Sequence, residues 1–130
     1  MGYATGIGLV GAAAGCGAWV IEDDIDGEFH DSVHPAATLK SVDTSGRVIY
    51  VGTFSKVMFA ALRLGYVVAP PALAQVFRRV AGATMQGAPA SLQAIMASFI
   101  EQGHFTTHIR RMRRIYAERQ KTLQDSAGRH

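Results

Sequence analysis

Three short apolar runs, each next to chemically active residues, constrain this chain most. Ala18-Trp19-Val20-Ile21 ends in Glu22-Asp23-Asp24-Ile25-Asp26. Arg47-Val48-Ile49-Tyr50-Val51 ends in Gly52-Thr53-Phe54-Ser55-Lys56. A third run begins at Leu64, just after Arg63, and stops at Pro70-Pro71. Short runs rich in β-branched and aromatic residues, bounded by Gly, Pro or acidic residues, are strands. The pattern predicts strands over 18–22, 47–52 and 64–69, with the lysine in a loop beyond the second. Helices are expected over 7–15, 36–42, 71–81, 90–101 and 104–124, the first weakened by Gly8, Gly11 and Gly15. Residues 23–35 are irregular and polar, punctuated by Pro35. Pro71 suits the first turn of a helix and Gly103 the position after one. Gly82 and Gly87 are expected to break the helical pattern. Strands alternating with helices predict an α/β fold, and ligands of open α/β sheets bind at strand ends.

Composition narrows the class. The 130 residues leave room for one domain, and 48% apolar content is enough for a core. The net charge of +3 is mild, and most of the excess lies between Arg110 and Lys121. A single cysteine excludes an intrachain disulfide framework and fits a reducing cytoplasm. Cys16 reads as a small buried apolar residue. The Gly/Ala-rich start lacks the charged region of a signal peptide and is too short to cross a bilayer. A cytoplasmic location is therefore expected.

Several motifs read better as structure than as function. Gly6-Ile7-Gly8-Leu9-Val10-Gly11 has the letters of a dinucleotide fingerprint, but only five residues precede it, too few for the strand that motif needs. Glu22, Asp23, Asp24, Asp26 and Glu28, with His30 and His34, lack a ligand spacing, so no metal is expected. Arg110, Arg111, Arg113, Arg114, Arg119 and Lys121 make a basic helix face. Ile109, Met112, Ile115 and Tyr116 form its apolar stripe, so the charged side reads as a solvated face without direct nucleic-acid binding.

The strand ends carry a different signal. Lys56 is flanked by the hydroxyls of Thr53 and Ser55, and Arg63 follows seven positions on. A cation near a lysine destabilises its ammonium, so that the free amine can attack a carbonyl. A guanidinium also pairs bidentately with phosphate. Asp23 and Asp24 are rival acids; adjacent strand residues face opposite sides, so only one can aim at a given ligand. An amine, an acid and a phosphate-binding cation are together what pyridoxal phosphate requires.

These residues resemble the large domain of fold-type I pyridoxal-phosphate aminotransferases (class I/II). The likeness is greatest to the aminotransferase-like domain of MocR-type transcriptional regulators. It is carried by Ile21 to Asp24, Asp26, Glu28-Phe29, Gly52 to Lys56, Ala61 to Tyr66, Glu101 to Phe105 and Arg110 to Arg113. It spans about 17–123. The resemblance implies a mostly parallel sheet with flanking helices, and pyridoxal 5'-phosphate as cofactor. Lys56 would form the aldimine, Asp23 would face the ring nitrogen, and Thr53, Ser55 and Arg63 would contact phosphate. The Asp23-to-Lys56 spacing of 33 (56 − 23) agrees with the family.

The implied function is amino-group transfer with an amino acid or amine. The alternatives are effector sensing within a MocR-type regulator and a truncated piece without function. A homodimer is implied for the whole protein, and no membrane association. Two departures stand out. Ile25 occupies the position of a family tyrosine, and the flanking parts of the cofactor domain and the small domain have no counterpart. The chain therefore reads as a fragment. Residues 1–103 would be a partial large domain, and 104–130 a basic helix leading toward a missing small domain.

Overall fold

Parity along three strands organises the first part of the molecule. In the computed structural model, residues 3–25, 27–29, 37–84 and 88–128 are described. The elements are α1 (Tyr3–Cys16), β1 (Val20–Asp24), α2 (Leu39–Val42), β2 (Val48–Thr53), α3 (Phe54–Val57), β3 (Gly65–Val68), α4 (Pro71–Thr84), α5 (Ala90–Glu101) and α6 (His104–Ala127). Single 3-10 turns cover Gly27–Phe29 and Ala60–Leu62. Apart from α3 and the 3-10 turns, the order of elements is the α/β order that the sequence predicts. Asp26, His30, His34, Pro35 and Gly87 lie outside the described residues.

The sheet has the order β1-β2-β3. β1 runs parallel to β2, with Val20 opposite Val48 and Asp24 opposite Gly52. β3 runs antiparallel to β2, with Tyr50 opposite Val68 and Thr53 opposite Gly65. The expectation of a mostly parallel sheet thus holds for one of the two pairs. The 54–64 connection holds only α3 and a 3-10 turn, so the chain reverses beside β2. A parallel return needs a crossover of a dozen or more residues.

The core of this part is built on β2. Val48 and Ile49 are buried, as are Val57 of α3 and Leu62 and Leu64 before β3. Val10 and Ala13 are buried on α1. α1 and α2 approach closely at Gly6, where a Cβ would lie 2.9 Å from the Leu39 methyl. Glu22 ties α2 to β1: its carboxylate accepts from the Leu39 N–H at 2.7 Å and the Lys40 N–H at 2.8 Å. Those N–H groups have no partner within a helix, and Glu22 satisfies them. Cys16 is exposed, contrary to the sequence expectation. It ends α1 just before Gly17, whose φ of 71° turns the chain away. Its Sγ–H donates to the Ala13 carbonyl, at 3.6 Å.

Asp43 organises the turn that leads into β2. Its side chain is shielded from solvent and accepts from the N–H groups of Ser45, Arg47 and Val48. The Ser45 hydroxyl donates to it at 2.9 Å, and Lys40 Nζ lies 3.6 Å away. Burial raises its pKa, but the Val48 and Arg47 N–H groups, Ser45 and Lys40 outweigh that and hold it at about 2. The group's folded pKa is depressed, so its stabilisation is complete above the unfolded value of 3.8 and fades as pH falls through about 2. Asp43→Ala should therefore destabilise the fold by about 2 kcal/mol at neutral pH, since several charge-assisted bonds vanish and N–H groups lose their acceptor. Chemical denaturation at pH 7 and pH 2 checks this: the difference between wild type and variant should shrink at the lower pH.

Gly82 does not end α4, which runs on to Thr84. One exposed helical glycine costs only about 1 kcal/mol relative to alanine, too little to stop a helix already formed upstream. The chain divides into two compact units, 1–88 and 89–130. The second is a helical hairpin. α5 spans the predicted 90–101, and Gly103, with φ of 76°, makes the turn into α6. Met96 and Ile109 are buried, and the Phe99 and His104 rings lie 5.5 Å apart. No helix among the described residues is long and apolar enough to cross a membrane.

Candidate functional site

Strand direction alone brings the candidate residues to one edge of the sheet. β1 and β2 are parallel, so their C-terminal ends, Asp23-Asp24 and Gly52-Thr53, lie side by side. β3 is antiparallel and begins at the same edge, with Gly65 opposite Thr53. α3, which carries Ser55 and Lys56, leaves β2 at this edge, and Arg63 arrives there two residues before β3. Asp23, Thr53, Ser55, Lys56 and Arg63 therefore all lie at or next to the same end of the sheet.

The pleat separates the two acids. Exposure alternates along β1, with Ile21 and Asp23 exposed and Glu22 and Asp24 partly covered. Asp24 is engaged: the Tyr50 hydroxyl donates to its Oδ2 at 2.8 Å. Asp23 sits on the opposite face, opposite Val51 and in the same alternation as Thr53. It is exposed, with no hydrogen-bond or ion-pair partner among the described residues. Ile25 follows, also exposed.

Lys56 lies in a single helical turn rather than in the loop the sequence predicts. Thr53 is the reason. Its hydroxyl accepts from the Ser55 N–H at 3.1 Å and so caps α3. The same hydroxyl lies 3.5 Å from the Leu64 carbonyl, to which the Phe54 N–H also donates, at 2.9 Å. The Thr53 side chain thus holds the turn. The Lys56 amine is exposed and has no partner among the described residues. Arg63 is the one described non-glycine residue with positive φ, at φ 49° and ψ 33°. The left-handed region is costly for a residue with a Cβ, and such strain collects at functional sites. The guanidinium it carries is exposed and unpaired among the described residues.

Sequence reading missed a polar network on the other face. The Tyr50 hydroxyl donates to Asp24, and Tyr66 lies within hydrogen-bonding reach of Tyr50 and Glu28. The Tyr50 and Tyr66 rings lie 6.1 Å apart, and Phe54 lies 4.9 Å from Tyr66. Burial, then the bond to Asp24, pushes the Tyr50 phenol far up, so it stays a donor. Burial also raises Tyr66, with the nearby Tyr50 hydroxyl opposing the shift and the charges of Glu28 and Asp24 adding to it. Two glycines make room. A Cβ on Gly52 would collide with the Tyr66 ring, and one on Gly27 with the Asp24 carboxylate. One tyrosine in each of two strand runs was a usable signal, but their meeting depends on a register the sequence does not state.

Comparison with known proteins identifies the family of the chain. The profile of the aminotransferase class I and II family matches residues 10–128. The probable rhizopine catabolism regulatory protein MocR of Rhizobium meliloti is 49% identical over 113 residues, which are 87% of this chain and 23% of that protein. The HTH-type transcriptional regulator TauR of Rhodobacter capsulatus is 35% identical over 117 residues, 90% of this chain and 24% of that protein. The chain thus spans about a quarter of the length of these curated relatives. Among solved structures, the Pyrococcus horikoshii kynurenine aminotransferase, crystallised with PMP, superposes with a TM-score of 0.86 at 28% identity. The match covers 96% of this chain and 31% of that one. The multiple substrate aminotransferase of Thermococcus profundus gives 0.87 at 27% identity, over 99% of this chain and 32% of that one.

Proposed function

This chain belongs to the aminotransferase class I and II family, and on that premise we propose that its β1–β2–β3 edge is part of a pyridoxal-phosphate site for amino-group transfer. The observation that carries the proposal is the convergence of an exposed acid, amine and guanidinium at one sheet edge, each without a partner among the described residues. That donor set fits the cofactor's ring nitrogen, carbonyl and phosphate. When bound, the cofactor supplies an electron sink for a carbanion at the substrate's α-carbon.

The chain's own residues divide the work. Lys56 would present the amine that holds the cofactor, and the same amine would move a proton at the substrate's α-carbon. Asp23 keeps the ring nitrogen protonated through a carboxylate hydrogen bond. Arg63 and the Ser55 hydroxyl would hold the phosphate, a group that a guanidinium can pair with bidentately. Thr53 contributes to the same phosphate end by fixing the turn. The division of the chain into 1–103, part of a large domain, and 104–130, a helix leading on to a small one, belongs to the same proposal, as does a homodimer for the whole protein.

The rival acids supply the test. Asp23→Asn should weaken pyridoxal-phosphate binding about tenfold, whereas Asp24→Asn, which keeps an acceptor for Tyr50, should change it less than about threefold. Absorbance titration measures both, and a larger loss from Asp24→Asn reverses the assignment.

The 49% identity to a regulator favours a second reading, in which the same site senses an amino acid or amine without net turnover. A spectral response to an amino acid with no keto-acid product supports sensing; steady product formation supports the enzyme.

A further inference from the structure

Resting on the cofactor site proposed above, we infer that Tyr50 and Tyr66 are positioning residues, which hold Asp23 and Lys56 in place from the opposite face of the sheet. The Asp24, Tyr50 and Tyr66 cluster takes one member from each strand: Asp24 of β1 accepts from Tyr50 of β2, whose ring lies 6.1 Å from that of Tyr66 of β3. It therefore clasps the three strand ends at the edge the site uses. Backbone pairing alone leaves such ends free to fray.

Two couplings carry the clasp to the site. Asp24 and Asp23 are consecutive, so anchoring one carboxylate on this face commits the other to the ligand side. Tyr50 in effect decides which acid is available. The second coupling runs through Phe54, whose ring packs on Tyr66. Phe54 opens α3, two positions before Lys56, and its carbonyl accepts from the Met58 N–H at 2.8 Å. The tyrosine network thus also sets where α3 stands. Gly52 and Gly27 fit the same design, since a side chain at either would push Tyr66 or Asp24 out of place.

Tyr50→Phe, Asp24→Ala and Asp24→Asn in the whole chain test the inference. Three readouts serve: the apparent Kd for pyridoxal phosphate, the melting temperature, and amide exchange at Phe54 and Met58 without cofactor. Tyr50→Phe and Asp24→Ala should each raise Kd about tenfold and speed exchange about tenfold, the effect of one lost hydrogen bond to a charged group. Asp24→Asn keeps an acceptor for Tyr50 and should stay within about threefold of wild type. A lower melting temperature with Kd and exchange unchanged would mean a purely structural role and overturn the inference. So would equal losses in Asp24→Asn and Asp24→Ala, a comparison that decides the matter even if Tyr50→Phe does not fold. Exchange is read without cofactor, so the two levels separate. A wild-type chain that takes no pyridoxal phosphate at Lys56 defeats the site itself, whereas unchanged exchange defeats the clasp alone.

Discussion

Lys56→Ala should raise the apparent Kd for pyridoxal phosphate by about a hundredfold while leaving the fold intact. The two halves of that expectation have separate causes. The amine is exposed and unpaired among the described residues, so its removal leaves no cavity and no orphaned partner. On the proposed site, binding should suffer because Asp23, Ser55 and Arg63 would remain as polar contacts to the two ends of the cofactor, with no covalent bond. Only the lysine can bond to its carbonyl. Titration of wild type and variant, each checked for an unchanged melting temperature, measures the effect. Arginine at this position should fail to rescue, since a guanidinium is not a nucleophile at neutral pH.

Arg63→Gly should separate stability from recognition. Glycine occupies the left-handed region without steric cost, which favours the folded state by about 1 kcal/mol. Its greater freedom in the unfolded chain offsets a similar amount. The melting temperature should therefore stay close to that of wild type although a whole side chain has gone. Affinity for pyridoxal phosphate should nevertheless fall about tenfold or more, because a charge-assisted bidentate contact is lost. Pyridoxal, which lacks the phosphate, provides the control: its affinity should change less than about twofold in the same variant. Equal losses for both ligands would mean that Arg63 shapes the loop and does not touch phosphate.

The contrast between Asp23 and Asp24 shows what a sequence of this kind reveals. Period-two alternation separates the two acids without any structure, and the strand runs place Lys56 and Arg63 at strand ends. The 90–101 helix with Gly103 after it was equally legible, because a left-handed glycine after an amphipathic run is a local signal. Tertiary pairing was not legible. Alternation says which face a residue takes and not which way its strand runs, so the reversal into β3 was hidden. The same limit hid the Tyr50–Asp24 bond, 26 residues apart in the chain. The helical turn under Lys56 was closer to view, since Thr53 two positions before Ser55 is an N-cap arrangement. Cys16 went the other way for a local reason: its helix ends before it reaches cover.

The most direct measurement of the central claim is a peptide map after borohydride reduction of the wild-type chain with pyridoxal phosphate. The chain has three lysines, Lys40, Lys56 and Lys121, each in different surroundings. Lys40 already donates to the Val48 carbonyl at 2.8 Å and lies beside Asp43. Lys121 is exposed on α6, far along the sequence from the sheet edge. Trypsin cuts after Arg47 and Arg63 but not at a modified lysine, so label on Lys56 appears as one peptide, Val48–Arg63, carrying the pyridoxyl mass. The account predicts that peptide as the dominant product at substoichiometric cofactor, and its loss in Lys56→Ala. Label spread evenly over the three lysines, or a labelled yield unchanged in Lys56→Ala, would contradict it.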